Sequence, residues 1–181
     1  TDLGRVEVAR LAQDLSAQQL RAAESRFREG LIPNIDLLRF QQDLAIQVQS
    51  ALILLQRFAP RMSKLPSAKV VFVSSSVTHG MPPKFMSMYT VAKYAQLGLM
   101  RAAAAEYTGT NLTINAISPS MIETRFLSDI AEVAVQMSAA ANPRGRNATP
   151  QDILGAIEFL LSPASDYMTG VDLPLTAGST R

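Results

Sequence analysis

Tyr89 and Lys93 stand four residues apart in a stretch, Met88 to Tyr107, that is expected to be a helix stopping near Gly109. Residues four apart share one helical face, so a phenol and an ammonium would lie side by side. A nearby cation favours the phenolate and is expected to lower the phenol's pKa. Bringing a free phenol from near 10 toward neutrality takes roughly three pH units, or about 4 kcal/mol. The strand-like run Val70-Val71-Phe72-Val73 ends in Ser74-Ser75-Ser76, and a serine hydroxyl brought against the pair could polarise a carbonyl. The spacing points to proton transfer to or from an alcohol or ketone.

The elements that must position these groups can be read along the chain. Residues 5–29 read as a polar surface helix with Gly30 as its stop. Leu31 to Leu38 reads as a loop with a strand stub at Ile35-Asp36-Leu37-Leu38. A helix is expected from Phe40 to Ala59, with Pro60 just beyond it. Its segment Ala51 to Leu55 is apolar all round, which predicts burial on both sides, by a sheet and by another helix or subunit. Lys69 to Val73 is β-branched without alternation, as in a parallel strand covered on both faces. Leu112 to Ile117 predicts the next strand, residues 122–140 a loosely patterned helix, and Gly170 to Leu175 a last short strand. Thr149-Pro150-Gln151-Asp152 opens a helix that ends before Pro163: Thr149 can cap it, Pro150 fits the first turn, and Asp152 suits the dipole. Strands alternating with helices predict an α/β fold with a parallel sheet. Ligands of such sheets bind beyond the carboxyl ends of the strands, where Ser74–Ser76 and Ser118–Ser120 fall.

Composition narrows the chemistry. The 181 residues are 48% hydrophobic and 18% charged, as in a globular domain with a substantial core. The formal net charge of +2 is too small to argue for a nucleic-acid partner. There is no cysteine, which removes thiolate catalysis and zinc–thiolate sites, and His79 is the only histidine, which removes a multi-histidine metal centre. Thr1 to Arg5 does not read as a signal-peptide core, and the Ala51 to Leu55 run is far too short to span a membrane. A cytoplasmic location with no membrane partner is the expectation.

Alone, Tyr-x-x-x-Lys is a weak motif. Here it belongs to an ordered set: Ser76, thirteen positions before Tyr89; Pro119-Ser120-Met121-Ile122-Glu123-Thr124 after the next strand; then Pro143-Arg144-Gly145-Arg146, the capped helix, and Tyr167-Met168-Thr169-Gly170. Over residues 40–180 this set resembles the catalytic half of the short-chain dehydrogenase/reductase family. The resemblance implies a Rossmann-like doubly wound parallel sheet, NAD or NADP as cofactor, and a small-molecule carbonyl or alcohol substrate. It also implies a homodimer or homotetramer, since the two helices around Leu52–Leu55 and Tyr89–Tyr107 pair across a two-fold axis in the family. By residue, it implies Tyr89 as general acid/base, and Lys93 as the group that lowers the phenol's pKa and binds the nicotinamide ribose. Ser76 would hold the substrate oxygen, with Ser75 the alternative register. Pro119, Ile122 and Thr124 would run along the nicotinamide. Gln47 falls where an asparagine usually completes a proton relay. His79, Met81 and Met121 are candidates for the substrate side, Asp172 reads as structural, and the methionine-rich loop suggests a 3-oxoacyl or other apolar ketone.

The resemblance stops at the nucleotide half. A pyrophosphate-binding turn needs clustered glycines so that the backbone can approach the phosphates. Before Gly80 the chain has only Gly4 and Gly30. Residues 1–39 therefore read as a polar helix with a remnant of the nucleotide-binding half, and 40–181 as the catalytic half. Three readings stay open: segments of a larger enzyme missing from between these residues, a fragment or fusion, or a degenerate relative acting as a scaffold.

Overall fold

The computed structural model describes residues 37–84, 86–125, 127 and 130–179, and side chains from residue 40 onward. The chain divides into two compact units, Thr1–Gln42 and Asp43–Arg181. The expected helix over 5–29, residues 31–36 of the expected loop, and Phe85 and Phe126 lie outside the described residues.

Helix α1 (Leu37–Leu44) is followed by a π-helical turn (Ala45–Gln49) and by α2 (Ser50–Met62). Leu37 and Leu38 are thus helical, which removes that half of the expected strand stub. Pro60 falls inside the last turn of α2 rather than after it. Strand β1 (Ala68–Val73), helix α3 (Ser87–Glu106) and strand β2 (Leu112–Pro119) come next. Helix α4 (Glu132–Ala141), helix α5 (Pro150–Leu161) and strand β3 (Asp172–Leu175) complete the order. The helix expected over 122–140 shrinks to α4: the backbone around Ile122 is tied to Ala148, with Glu123 N–H donating to Ala148 O at 2.7 Å and Ala148 N–H to Met121 O at 3.0 Å, and Leu127 N–H closes a tight turn on Thr124 O at 3.0 Å.

The three strands form one parallel sheet in the order β1-β2-β3, an α/β fold. Phe72 pairs with Ala116, and Ala116 with Asp172, so the register runs across all three strands. All eight positions of β2 are buried, as its central place in the sheet requires, although Leu112-Thr113-Ile114-Asn115 alternates apolar and polar side chains. The even-numbered residues Ala68, Phe72, Leu112, Ile114 and Ala116 pack with Leu97, Met100, Ala103 and Ala104 of α3 and with Ala59 of α2. Helix α3 ends in the alanine-rich stretch 102–105, and the chain leaves through Gly109 at φ +83°, a left-handed turn that glycine adopts without strain.

Helix α5 starts as its sequence suggests. The Asp152 carboxylate accepts from the Thr149 N–H at 2.7 Å and from its hydroxyl at 2.9 Å, closing a capping box. Arg146 grips the same carboxylate with two nitrogens, at 2.7 and 2.8 Å, and these bonds hold the Asp152 carboxyl well below the usual carboxylate range. Of the two coverings expected for the apolar run of α2, the described chain supplies one. Only Ala59 of that helix is buried, and Leu52, Ile53, Leu54 and Phe58 are exposed, so α2 covers the sheet with one face and leaves the other open. No described helix is long and apolar enough to cross a membrane.

Candidate active site

The buried residues of α3 include Thr90, Lys93, Gln96, Leu97, Met100, Ala103 and Ala104, a stripe at helical spacing. A lysine on such a stripe is costly unless its ammonium finds acceptors. Lys93, 5% exposed, finds three: Nζ donates to Gln47 Oε1 at 2.9 Å, to the Val73 carbonyl at 3.1 Å and to Gln96 Oε1 at 3.2 Å. Burial lowers its pKa to about 8, against a smaller upward pull from the charge of Asp43. Nζ also lies 5.8 Å from the centre of the Tyr89 ring, within cation–π reach.

Tyr89 behaves differently from the expectation drawn from spacing. Its pKa is raised, not lowered: burial dominates, Asp43 adds to it, and a hydrogen bond from Ser75 opposes it. Burial is the physical reason, and the ammonium does not offset it. Lys93 sits over the ring and gives its hydrogen bonds to amide and carbonyl oxygens. At neutral pH the phenol is therefore protonated, ready to act as an acid.

The serine hydroxyl that bonds to Tyr89 is that of Ser75, the alternative register, rather than that of Ser76. Ser75 is the last extended residue after β1, at φ −158°, and caps the 3-10 turn Ser76–Thr78. Its backbone carbonyl accepts from the Thr78 hydroxyl at 2.8 Å, and its hydroxyl oxygen accepts from the Val77 N–H at 3.4 Å, leaving the hydroxyl proton for Tyr89. Ser76 is instead the first residue of the turn, and its carbonyl accepts from the His79 N–H at 2.9 Å. The two candidates are separable by kinetics. Ser75→Ala should lower kcat/KM by roughly 10²-fold or more, the scale of one lost oxygen-binding donor, and Ser76→Ala by less than about twofold. Steady-state assays of the two variants check this, and the reverse ranking would restore Ser76.

Gln47, on the π-helical turn, is brought to Lys93 directly, its greater length over asparagine being taken up by that contact. Helices with such a turn carry it at functional sites unusually often. His79 turns inward: its Nε2 lies 2.8 Å from Asp172 Oδ2, and Ser118 Oγ donates to the same carboxylate at 2.7 and 2.9 Å. Asp172, read from sequence as structural, thus ties the loop after Ser75 to β2 and β3. Met81 is 94% exposed, and Met121 is half-buried. Pro119 ends β2, Ile122 forms an isolated bridge to Ala148, and Thr124 is exposed. Among the described residues no cluster of histidine, cysteine, aspartate or glutamate could hold a metal ion.

Two site residues escaped the sequence reading. Asp43 stands one helical turn before Gln47, and Gln96 stands three residues after Lys93 on the buried stripe. Face-sharing was the available signal for both.

Known proteins are similar to this chain over most of its length. A family model described as enoyl-(acyl carrier protein) reductase matches residues 20–180. The uncharacterised oxidoreductase YmfI of Bacillus subtilis is 29% identical over 168 residues, 93% of this chain and 68% of that protein. The 3-oxoacyl-[acyl-carrier-protein] reductase FabG of Thermotoga maritima is 32% identical over 124 residues, 68% of this chain and 50% of FabG. A solved structure of a putative NAD(P)-dependent gluconate 5-dehydrogenase from Beutenbergia cavernae, with bound NADP, superposes with a TM-score of 0.72 at 28% identity, covering 81% of this chain and 59% of that one. With its matched span, parallel sheet and Tyr89–Lys93 helix, the chain belongs to the short-chain dehydrogenase/reductase family.

Proposed function

We propose that this chain carries the substrate half of an NAD- or NADP-dependent oxidoreductase that interconverts a ketone and a secondary alcohol. The observation that carries the reading is the convergence of Ser75, Tyr89 and Lys93 at the carboxyl end of β1. When bound, a nicotinamide cofactor supplies hydride to the carbonyl carbon or takes it back. Ser75 would hold the substrate oxygen, and Tyr89 would give that oxygen its proton, so that one hydride and one proton make the alcohol. Lys93, beside the ring, balances the charge that the phenol acquires. In the reverse direction the Tyr89 oxygen takes the proton.

Several residues would hold the nicotinamide end of the cofactor: Lys93 and Tyr89, and the segment Pro119, Ile122 and Thr124. The fixed backbone at Ile122 and Ala148 fits that role. A pyrophosphate cradle is not formed by the described residues. The substrate would be an apolar ketone, a 3-oxoacyl thioester among them. That finer assignment is supported by the exposed Met81 and Met86, in the sequence that leads into the Tyr89 helix, and by the likeness to FabG. The open apolar surface of Ile53, Leu54, Phe58, Val91 and Tyr94 on α2 and α3 suits a homodimer or homotetramer.

A second reading, a non-catalytic scaffold, is favoured by the lack of a glycine-rich turn before Gly80. Fluorescence titration of the complete polypeptide with NADH and NADPH decides between them. Saturable binding of either is the expected result and also shows which is preferred; no binding of either would favour the scaffold.

A further inference from the structure

Gln96 is buried three residues beyond Lys93, on the face of α3 that meets the sheet. A primary amide in such a place is tolerated only if both ends are bonded. Its Oε1 accepts from Lys93 Nζ at 3.2 Å, and its Nε2 donates to the Gln47 carbonyl at 3.1 Å and to Gln47 Oε1 at 3.3 Å. Gln47 Oε1 in turn accepts from Lys93 at 2.9 Å. Lys93, Gln47 and Gln96 thus close a ring of hydrogen bonds. The ring joins α3 to the π-helical turn, whose Ser50 N–H reaches back to the Ala45 carbonyl.

We infer that Gln96 is a positioning residue, locking the Lys93 ammonium between the Tyr89 ring and the π-helical turn at Gln47. The inference rests on reading Lys93 as the partner of Tyr89 in the proposed reaction. An apolar side chain at position 96 would leave the buried Lys93 short of an acceptor and the half-buried Gln47 short of a donor. A carboxylate would turn a balanced contact into a buried ion pair and hold the proton on Lys93. The neutral amide does neither: it orients the ammonium and leaves it able to lose its proton. The charged or titratable groups that bear on Lys93 are Tyr89 on α3 and Asp43 at the end of α1; β1 contributes the neutral Val73 carbonyl, and the π-helical turn the neutral Gln47.

The test is a pH titration of the Lys93 side chain by carbon-13 NMR in the complete polypeptide, with the resonance assigned by its loss in Lys93→Arg. In Gln96→Glu the titration should move upward by about one to three pH units. In Gln96→Leu it should move downward. The glutamate variant keeps the size and the acceptor of the native side chain, so the test stands on it alone if the leucine variant does not fold. An unmoved Lys93 titration in folded Gln96→Glu overturns the inference. Because the readout needs no turnover, it is separable from the oxidoreductase reading. A displaced titration in a protein that neither binds nicotinamide nor turns over ketones would support the positioning role and sink the reaction.

Discussion

Replacing Tyr89 with phenylalanine is expected to lower kcat by about 10²- to 10⁴-fold, the usual contribution of a positioned general acid. Only a hydroxyl is removed. The ring keeps its place beside Lys93, and Ser75 keeps its bond to the Val77 N–H, so the fold should hold. Near-equal thermal melts with lost turnover would separate chemistry from stability; full activity in the variant would remove Tyr89 from the mechanism. The direction of the Tyr89 shift adds a pH signature. With the phenol pushed above its ordinary value, ketone reduction should proceed at neutral pH, where the proton is present. Alcohol oxidation, which needs the phenolate, should gain rate as pH rises. Phenylalanine at position 89 should abolish both limbs.

Much of this arrangement was legible in the sequence because it follows from short-range periodicity. The unalternating β-branched run gave β1, the strand-like run Leu112 to Ile117 gave β2, and the Thr149–Asp152 cap gave α5. What was not legible depended on where one turn begins. Ser74, Ser75 and Ser76 are chemically equal on paper, and a one-residue difference in where β1 yields to the 3-10 turn decides which hydroxyl meets Tyr89. The tyrosine's environment was illegible for a related reason. Four-residue spacing puts Lys93 near Tyr89 but does not say that the ammonium's hydrogen bonds go to Gln47, Val73 and Gln96, two of which come from other elements. The π-helical turn that brings Gln47 into reach has no compositional signature. What covers the second face of α2 was not legible either, because an apolar run records what a helix can cover, not what a single chain supplies.

Lys93 carries the second large effect, and it should appear in stability as well as in rate. The folded chain holds this lysine near pKa 8, while an unfolded lysine titrates near 10.5. Between those pH values the unfolded state binds more protons than the folded one, so stability rises with pH across that window. The contribution is fully present above about 10.5, is lost as pH falls toward 8, and is constant below 8. Lys93→Met has no such proton to lose. Urea unfolding of the two forms from pH 7 to 10.5 should show wild type gaining on the variant by up to about 3 kcal/mol. Every other ionisable group is common to both forms and cancels in the difference. A flat difference would mean that Lys93 keeps its proton in the folded chain, and the site would then hold a fixed cation. In the same variant turnover should fall by at least about 10²-fold, since the charge that balances the developing phenolate is gone. The two measurements bear on one property: in the proposed reaction, proton transfer near neutral pH is served by a lysine whose own proton is loosely held, and the burial that loosens it costs stability below pH 8.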